Sequence, residues 1–316
     1  MRGALTFPLR ILFAGSGEFG LPTLKALRSA GHEVVQVYSQ PDRPAGRGRT
    51  LTPTPIAQFA LDQALPLIRT ENLNAESLPA ADLLVVIAFG QKISATVANH
   101  CRLGSVNLHA SRLPRYRGAA PIHWAILRGE TIAGNSIIRL ADKMDAGAVL
   151  GQSSVEILEA ETTGELHDRL AVDGAPLLLR VADELAAGNA TETPQDESLA
   201  TLAPKLSRKT SMIDWSQPAA VVARLICGLS PWPGCRVRLL ESHGEEVARL
   251  TLLRARVTQP RAEKPGDLGY EGQVGTGNFT AIEVLEVQPE GKRPMSLADF
   301  KNGRGWGLGM RLESIS

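Results

Sequence analysis

Residues 82–88, Asp-Leu-Leu-Val-Val-Ile-Ala, form a continuous apolar run of strand length. Such a run is typical of a strand buried on both faces, as in a parallel sheet that helices cover. Near the start of the chain, residues 10–14 have the same character, and a helical pattern over 21–29 separates them from a further strand at 33–38. A strand, a helix and a strand in succession predict a parallel pair. We therefore expect an α/β fold with a Rossmann-like, doubly wound and mainly parallel sheet.

The pattern changes in the second half of the chain. The spacing of leucines predicts two helices around 163–170 and 178–185, and a small, polar, acidic stretch follows at 188–198. Short β-rich runs separated by Gly and Pro turns then predict a small barrel; they lie at 235–240, 247–257, 273–275 and 279–287. The 316 residues suffice for two cores. We expect a first domain over 1–189, a linker over 190–207 and a smaller β-rich, OB-like barrel domain over 208–316.

Composition excludes several classes of protein. The hydrophobic fraction of 43% and the charged fraction of 21% are those of a globular chain. No apolar stretch approaches the roughly 18 residues of a membrane span, and no signal-peptide core is evident. Three unpatterned cysteines indicate neither a disulfide framework nor a zinc site, so we expect a protein of the reducing cytoplasm with no bound metal. Because the net charge is only +1, binding to nucleic acid would require local basic patches.

A polar pair ends the strand that we expect at the start of residues 105–122. Asn107 and His109 alternate with apolar residues, so they share one face of the strand. The end of a strand before an irregular loop is where an open α/β sheet binds ligands. Asp145 lies on a later turn and is favoured over Asp142, which lacks a following turn glycine. Together an Asn, a His and an Asp can polarise a carbonyl, move a proton and orient the base, although a turn-capping Asn and a core His are the alternatives.

Two further motifs allow two interpretations each. Gly15-x-Gly17-x-x-Gly20 lies between a strand and a helix like a dinucleotide fingerprint, but residues 37–40 lack the required acid, and a tight turn is the second interpretation of these glycines. The long proline-rich loop over 39–55 carries Arg43, Arg47 and Arg49. Arginines on such a loop either bind phosphates and stack on bases or are simply solvated.

Several of these motifs resemble the folate-dependent formyltransferases. They are Asn-x-His at 107–109, Leu-Pro-x-x-Arg-Gly-Ala-Ala-Pro at 113–121 and Asp-x-Gly at 145–147. Ile-Asp-Trp at 213–215 and Pro-Trp-Pro-Gly at 231–234 are similar to the members that formylate initiator methionyl-tRNA. The resemblance covers nearly the whole chain. It implies that residues 1–189 form the formyltransferase catalytic domain and that residues 208–316 form a tRNA-binding domain.

The resemblance also implies an activity and a set of site residues. The expected reaction transfers the formyl group of 10-formyltetrahydrofolate to the α-amino group of initiator methionyl-tRNA. Asn107, His109 and Asp145 would be catalytic, and Arg43, Arg47 and Arg49 would enter the tRNA acceptor stem. The implied folate pocket consists of Phe89, Gly90, Ser111, Arg112, Leu113 and Pro114. Arg112 would face either the glutamate tail of the folate or solvent.

The implied enzyme is a cytoplasmic monomer that uses no membrane and no metal. Three alternatives remain open. The first is a formyltransferase acting on a nucleotide-linked amino sugar, and the second is an NAD-dependent oxidoreductase. The third is a non-catalytic RNA-binding protein, against which the complete Asn, His and Asp set argues, because binding alone has no need of all three.

Overall fold

The computed structural model describes residues 8–45, 48, 50–259 and 263–315 of the chain. These residues fall into two compact units, both discontinuous in sequence. The first comprises the described part of Met1–Gly118 with Ala133–Val155 and His167–Leu202. The second comprises Ala119–Ile132, Glu156–Leu166 and the described part of Ala203–Ser316.

The strands of the described residues are numbered in chain order. They are β1 Arg10–Gly15, β2 Glu33–Ser39, β3 Arg43–Ala45, β4 Thr50–Thr52, β5 Leu67–Arg69, β6 Leu83–Ile87, β7 Ser105–His109, β8 Ile132–Ala133, β9 Ser136–Arg139, β10 Val149–Gln152, β11 Val155–Glu156, β12 Cys235–Leu240, β13 Glu246–Thr258, β14 Val274–Thr276, β15 Thr280–Pro289, β16 Met295–Ser296 and β17 Arg311–Ser314.

The α-helices are numbered in the same way. They are α1 Leu21–Ser29, α2 Pro55–Asp62, α3 Ala95–Ala98, α4 Pro121–Leu127, α5 Thr163–Ala187, α6 Ala219–Gly228 and α7 Leu297–Gly303. Within the described ranges, none of these helices combines the length and the apolar character needed to cross a membrane.

The sheet of the first unit is mainly parallel. Its strands follow the order β10-β9-β7-β6-β1-β2-β5. The five strands from β7 to β5 pair in parallel, and β9 and β10 add two antiparallel strands at one edge. All five residues of the central strand β6 are buried, as the apolar run predicts. The expected doubly wound, mainly parallel sheet is confirmed, and it brings the carboxyl ends of β6 and β7 to the same edge.

Helix α5 corrects one sequence prediction, because a single helix replaces the two that we expect there. Proline inside a helix costs about 3 kcal/mol, and Pro176 lies in its interior. The inward face buries Leu170, Leu178 and Val181 completely. Complete burial of such a side chain stabilises by about 1.5–3 kcal/mol, so three of them outweigh the proline. Local sequence rules do not include this tertiary contribution.

The loop predicted over residues 39–55 also differs from expectation, since it contains a short antiparallel hairpin. Strands β3 and β4 pair with Arg43 opposite Thr52 and Ala45 opposite Thr50. Residues 46, 47 and 49 lie outside the described residues, so the predictions for Arg47 and Arg49 cannot be placed on the structure. Arg43 lies on β3 with its side chain exposed.

The second unit contains an antiparallel barrel with the strand order β14-β15-β13-β12-β17. The segment from Gly266 to Leu268 nearly closes it. On one side Leu268 N donates to Met310 O at 2.9 Å, and on the other Gly266 N donates to Gly275 O at 2.9 Å. Apolar side chains that include Val237, Leu252 and Ile282 fill the interior. The predicted smaller β-rich barrel is confirmed.

Candidate active site

Strand β7 brings the predicted polar pair to one face of the sheet. It lies between β6 and β9, where Asn107 pairs with Val86 on one side and Ile138 on the other. The alternate residues Val106 and Leu108 are buried on the opposite face. Asn107 is half-buried, and its side-chain amide makes no hydrogen bond to any other described residue. That amide is therefore free to donate to a ligand at the carboxyl edge of the sheet.

His109 is held by the loop that follows its own strand. Its side chain is buried, and its Nε2 lies 2.9 Å from the main-chain oxygen of Tyr116. A carbonyl oxygen only accepts hydrogen bonds, so this contact places a proton on Nε2. Tyr116 has a φ of +63°, which is uncommon for a bulky residue, and its N–H donates to Thr201 Oγ1 at 2.9 Å. The second contact stabilises the backbone conformation that directs the carbonyl towards His109.

Asp145 approaches the other nitrogen of the same imidazole. Its Oδ2 lies 3.7 Å from His109 Nδ1, at ion-pair range but beyond a direct hydrogen bond. The same oxygen accepts a hydrogen bond of 2.8 Å from Gly118 N. Asp142 is exposed, and no contact between it and His109 is recorded among the described residues. Of the two candidate acids, the structure brings Asp145 to the histidine.

The loop that begins at Ser111 is anchored by two side chains from β9 and β10. Ser136 Oγ donates to Ser111 O at 2.6 Å and accepts from Leu113 N at 3.0 Å. Gln152 Nε2 donates to Leu113 O at 2.7 Å. These contacts fix the backbone of the predicted folate-binding segment. Pro114 is half-buried beside them.

Arg112 differs from its neighbours in that segment because its side chain is exposed. Its Cγ lies close above Gly134, where a Cβ would come within 2.9 Å of it. The exposed position is compatible with both roles considered from the sequence, contact with the glutamate tail of a folate or contact with solvent.

The other part of the predicted folate pocket follows β6. Phe89 is buried and packs in an apolar cluster with Tyr38, and Ile93 and Leu140 line the same cluster. Gly90 has a φ of +76°, and a Cβ there would lie 2.6 Å from Gln40 Nε2. Glycine is therefore required at this position for both conformation and space. Ala88 and Gly90 are exposed beside this buried apolar cluster, so main-chain groups of the turn are accessible there.

Gln40 was missed in the sequence analysis, although it joins two predicted sites. Its Nε2 donates to Phe89 O at 2.7 Å, and its Oε1 accepts from Arg43 Nη2 at 2.6 Å. Asp42, the residue before β3, accepts a second contact, since Arg69 Nε lies 2.7 Å from its Oδ1. The start of the arginine-bearing hairpin is therefore anchored to the turn after β6. No sequence signal marks Gln40, because its partner Phe89 is 49 residues away.

The glycines after β1 have a packing role. A Cβ on Gly15 would lie 2.8 Å from the Phe13 ring and 2.9 Å from Ile87 O, and one on Gly20 would lie 3.3 Å from the same ring. The lack of a side chain lets this turn pack closely on the sheet.

Comparison with known families accounts for most of the chain. A formyl transferase family model matches residues 9–182, and a model of the formyl transferase C-terminal domain matches residues 205–305. The chain belongs to the formyltransferase family. The resemblance inferred from the motifs at 107–109, 113–121 and 145–147 is thereby confirmed.

Relatives within the formyltransferase family match almost the full length. The methionyl-tRNA formyltransferase of Moorella thermoacetica is 42% identical over 93% of this chain and 96% of its own length. That of Methylococcus capsulatus is 41% identical over the same shares of the two chains. Both relatives carry the name of an enzyme that formylates methionyl-tRNA.

Solved structures with a similar fold are more distant in sequence. The N-formyltransferase from Helicobacter canadensis, in complex with folinic acid and dTDP-3-aminofucose, has a TM-score of 0.67 at 13% identity and covers 89% of this chain and 99% of its own. HypX from Aquifex aeolicus, in complex with tetrahydrofolic acid, has a TM-score of 0.63 at 17% identity and covers 96% of this chain and 49% of its own. At these identities the likeness shows the fold.

Proposed function

We propose that this protein transfers the formyl group of 10-formyltetrahydrofolate to the α-amino group of initiator methionyl-tRNA. The observation that carries the proposal is the 42% identity to a methionyl-tRNA formyltransferase over 93% of the chain, which includes the barrel unit. Asn107, His109 and Asp145 supply the groups that this acyl transfer requires. The product is N-formylmethionyl-tRNA for translation initiation.

The three polar residues have separate roles in the proposed reaction. The folate co-substrate supplies an electrophilic formyl carbon. The free amide of Asn107 donates a hydrogen bond to the formyl oxygen as negative charge develops there. His109, when protonated, stabilises the same charge and returns a proton to the departing folate nitrogen. Asp145 orients the imidazole and accepts a proton from the attacking amine.

In the proposed reaction the two nitrogens of His109 have different roles. The proton on Nε2 is donated to the Tyr116 carbonyl, so Nδ1 is the nitrogen that exchanges a proton during turnover. Nδ1 is also the nitrogen that faces Asp145, at 3.7 Å.

The two substrates occupy different parts of the first unit in this proposal. The pterin ring binds against the apolar cluster around Phe89 and the backbone of Gly90, and Ser111, Leu113 and Pro114 complete the folate site. Arg112 is exposed at its edge. Arg43 on the hairpin contacts the tRNA acceptor stem in this proposal, together with Arg47 and Arg49, which lie outside the described residues. The exposure of Arg43 supports this role.

We also propose that the protein acts as a monomer in the cytoplasm. The domains proposed from the sequence are 1–189 and 208–316, and the linker between them, 190–207, includes residues 193–201, which form hydrogen bonds to the first unit. Sedimentation of the purified protein tests the oligomeric state, and limited proteolysis tests the boundaries.

Transfer of labelled formyl from 10-formyltetrahydrofolate tests the proposed function directly. The acceptors are initiator methionyl-tRNA, free methionine, uncharged tRNA and a nucleotide-linked amino sugar, each in a separate reaction. We expect label only on methionyl-tRNA. Label on the amino sugar would overturn the proposed acceptor, and folate-dependent release of formate without any acceptor would indicate a hydrolase instead.

A further inference from the structure

The segment that follows α5 is hydrogen-bonded to two parts of the candidate active site. At its start, Thr193 exchanges backbone hydrogen bonds with Val149 of β10, at 2.8 and 2.9 Å. At its end, Thr201 N donates to Pro114 O at 3.3 Å, and Thr201 O accepts from Arg117 N at 2.9 Å. Residues 193–201 thus run from the edge of the sheet to the loop after β7. We call these residues the bracing segment.

Gln195, near the start of the bracing segment, uses the full hydrogen-bonding capacity of its amide. Its Nε2 donates to Asp145 O at 2.7 Å and to Gly147 O at 2.8 Å. Its Oε1 accepts from Arg117 Nε at 3.0 Å and Nη2 at 2.7 Å. An amide has two N–H donors and an oxygen with two lone pairs, so all four positions are occupied. Such a site is specific for glutamine in both its chemistry and its length.

The arginine that supports Gln195 is itself fixed. Arg117 is only 3% exposed, and its Nη2 also donates to Glu197 Oε1 at 2.8 Å. Hydrogen bonds from Arg117 and Lys143 lower the pKa of Glu197 to about 2, so the carboxylate is charged throughout the neutral range. Arg117 adjoins Gly118, whose N–H donates to the Asp145 carboxylate. The same short stretch of chain therefore contacts Asp145 directly and through Gln195.

The backbone of Asp145 needs such support because it adopts a left-handed conformation. Its φ is +53°, and a non-glycine residue in this region persists only where its surroundings hold it, at a cost of about 1–3 kcal/mol. Gln195 holds the main-chain oxygens of Asp145 and Gly147, on either side of the turn. Gly118 holds the carboxylate. With both ends fixed, Oδ2 is directed towards His109.

We propose that Gln195 is a positioning residue for the formyl transfer: it holds the 145–147 turn so that the Asp145 carboxylate faces His109. The inference rests on the proposed function. Gln195 contacts backbone rather than the reacting atoms, so it acts on turnover through Asp145 and leaves the binding of both substrates unchanged. Arg117 orients the Gln195 amide, because its Nε and Nη2 donors require an acceptor and therefore hold the amide oxygen on their side.

The test compares Gln195→Met with Gln195→Glu. Methionine has a similar length and no hydrogen bonds, whereas glutamate keeps the contact with Arg117 and loses the N–H donors to the two carbonyls. A misplacement of about 1 Å can cost up to about 100-fold in rate, so we expect both variants to lower kcat by about 10-fold to 100-fold. KM for folate and for methionyl-tRNA should stay within about 2-fold of the natural values. The matched control is Gln63→Met, which removes a glutamine–arginine hydrogen bond of 2.8 Å to Arg28 on the surface.

The split between kcat and KM separates positioning from simple stabilisation. A displaced Asp145 should lower kcat in both Gln195 variants at temperatures well below unfolding, whereas Gln63→Met should keep the natural kcat. A lower melting temperature with a natural kcat, measured well below unfolding, would overturn the proposal. An increase in KM at constant kcat would overturn it as well.

Failure of the proposed function gives a different result from failure of this inference. If the natural chain transfers no formyl group to methionyl-tRNA, the proposed function fails before any variant is compared. The NMR chemical shifts of the His109 imidazole then test the inference without activity. Changed His109 chemical shifts in Gln195→Met, with those of Gln63→Met unchanged, support the positioning role, and identical chemical shifts in all three proteins overturn it.

Discussion

The main-chain oxygen of Tyr116 accepts the Nε2 proton of His109 at 2.9 Å, so Nδ1 faces Asp145. The catalytic histidine of the proposed mechanism is therefore oriented mainly by a backbone carbonyl. The carboxylate at 3.7 Å is placed to respond when the imidazole gains a second proton. These two contacts predict which nitrogen of neutral His109 carries the proton.

Neutral His109 should carry its proton on Nε2. The carbonyl of Tyr116 can only accept a hydrogen bond, and the Nδ1–H tautomer would place two lone pairs against each other. Nitrogen NMR of histidine-labelled protein distinguishes the tautomers, with the exposed His243 as an internal reference. A proton found on Nδ1 of neutral His109 would contradict the assignment.

Replacing Asn107 by alanine should lower kcat by about 10²–10³-fold, because loss of one donor to a developing oxyanion typically has this effect. The affinity for tRNA should be nearly unchanged, since the amide contacts only the reacting group. Steady-state kinetics with tRNA-binding measurements check both values. Asn99→Ala, which alters an exposed residue at the end of α3, is the control. Near-normal turnover in Asn107→Ala would remove this residue from the mechanism.

Arg43→Ala should weaken the use of tRNA and leave the use of folate unchanged. Its guanidinium is exposed on β3 and is available to a phosphate. The slope of log KM for tRNA against log salt should fall by about 1, as for the loss of one phosphate contact. Arg10→Ala is the matched control, because Arg10 is an exposed arginine at the first residue of β1. Equal salt slopes for Arg43→Ala and the natural chain would exclude a contact between Arg43 and tRNA.

Gly90→Ala should impair folate binding by more than its loss of stability alone would explain. The change combines strain at a φ of +76° with a contact of 2.6 Å between the new Cβ and Gln40 Nε2. Gly188→Ala is a close control, since Gly188 has a φ of +71° and no atom within 4 Å of an added Cβ. Strain alone costs about 1 kcal/mol or somewhat more in both variants. KM for folate should rise only in Gly90→Ala, and a similar rise in both variants would refute the local explanation.

Tyr38→Phe should make the protein less sensitive to alkali. Burial raises the pKa of Tyr38 to about 12, and its hydroxyl has no hydrogen-bond partner among the described residues. The stabilisation from keeping this hydroxyl protonated is complete below about pH 10 and is lost as the pH rises towards 12. The natural chain should therefore lose up to roughly 1.4 kcal/mol more per pH unit in that window than the variant.

Urea unfolding at pH 9 and pH 11 measures this difference. At pH 9 we expect Tyr38→Phe to be at least as stable as the natural chain, because it removes a buried polar group without a partner. Parallel losses of stability in the two proteins between these pH values would show that Tyr38 ionises as readily when folded as when unfolded.

The elements that the sequence predicts best are those with a strong local pattern. Strand β6 lies within the apolar run at 82–88, and β12 has the predicted bounds of 235–240, since alternation and burial are local properties of a strand. Asn107 and His109 share a face for the same reason. Helix α5 was not predicted as one element, because the burial that outweighs Pro176 comes from the sheet and not from neighbouring residues.

The residues that support the site are not marked by a local pattern in the sequence. Gln195 is 78 residues from Arg117 and 48 residues from Gly147, and an amide in a polar stretch of sequence resembles any surface glutamine. Its role becomes visible only when the fold brings four hydrogen-bonding partners around it. The acid that accompanies His109 is a different case, because the turn glycine that follows at position 147 already favours Asp145 over Asp142 in the sequence.

The bracing segment has a practical consequence for dissecting the chain. A fragment that ends at Asn189, after α5, would contain the whole seven-stranded sheet together with Asn107, His109 and Asp145. It would nevertheless lack Gln195 and Thr201, which hold the Asp145 turn and the Tyr116 backbone. The shortest fragment that retains these contacts extends to Thr201, one residue before the end of the first unit at Leu202. Any expression boundary for the catalytic half of this protein belongs beyond that residue.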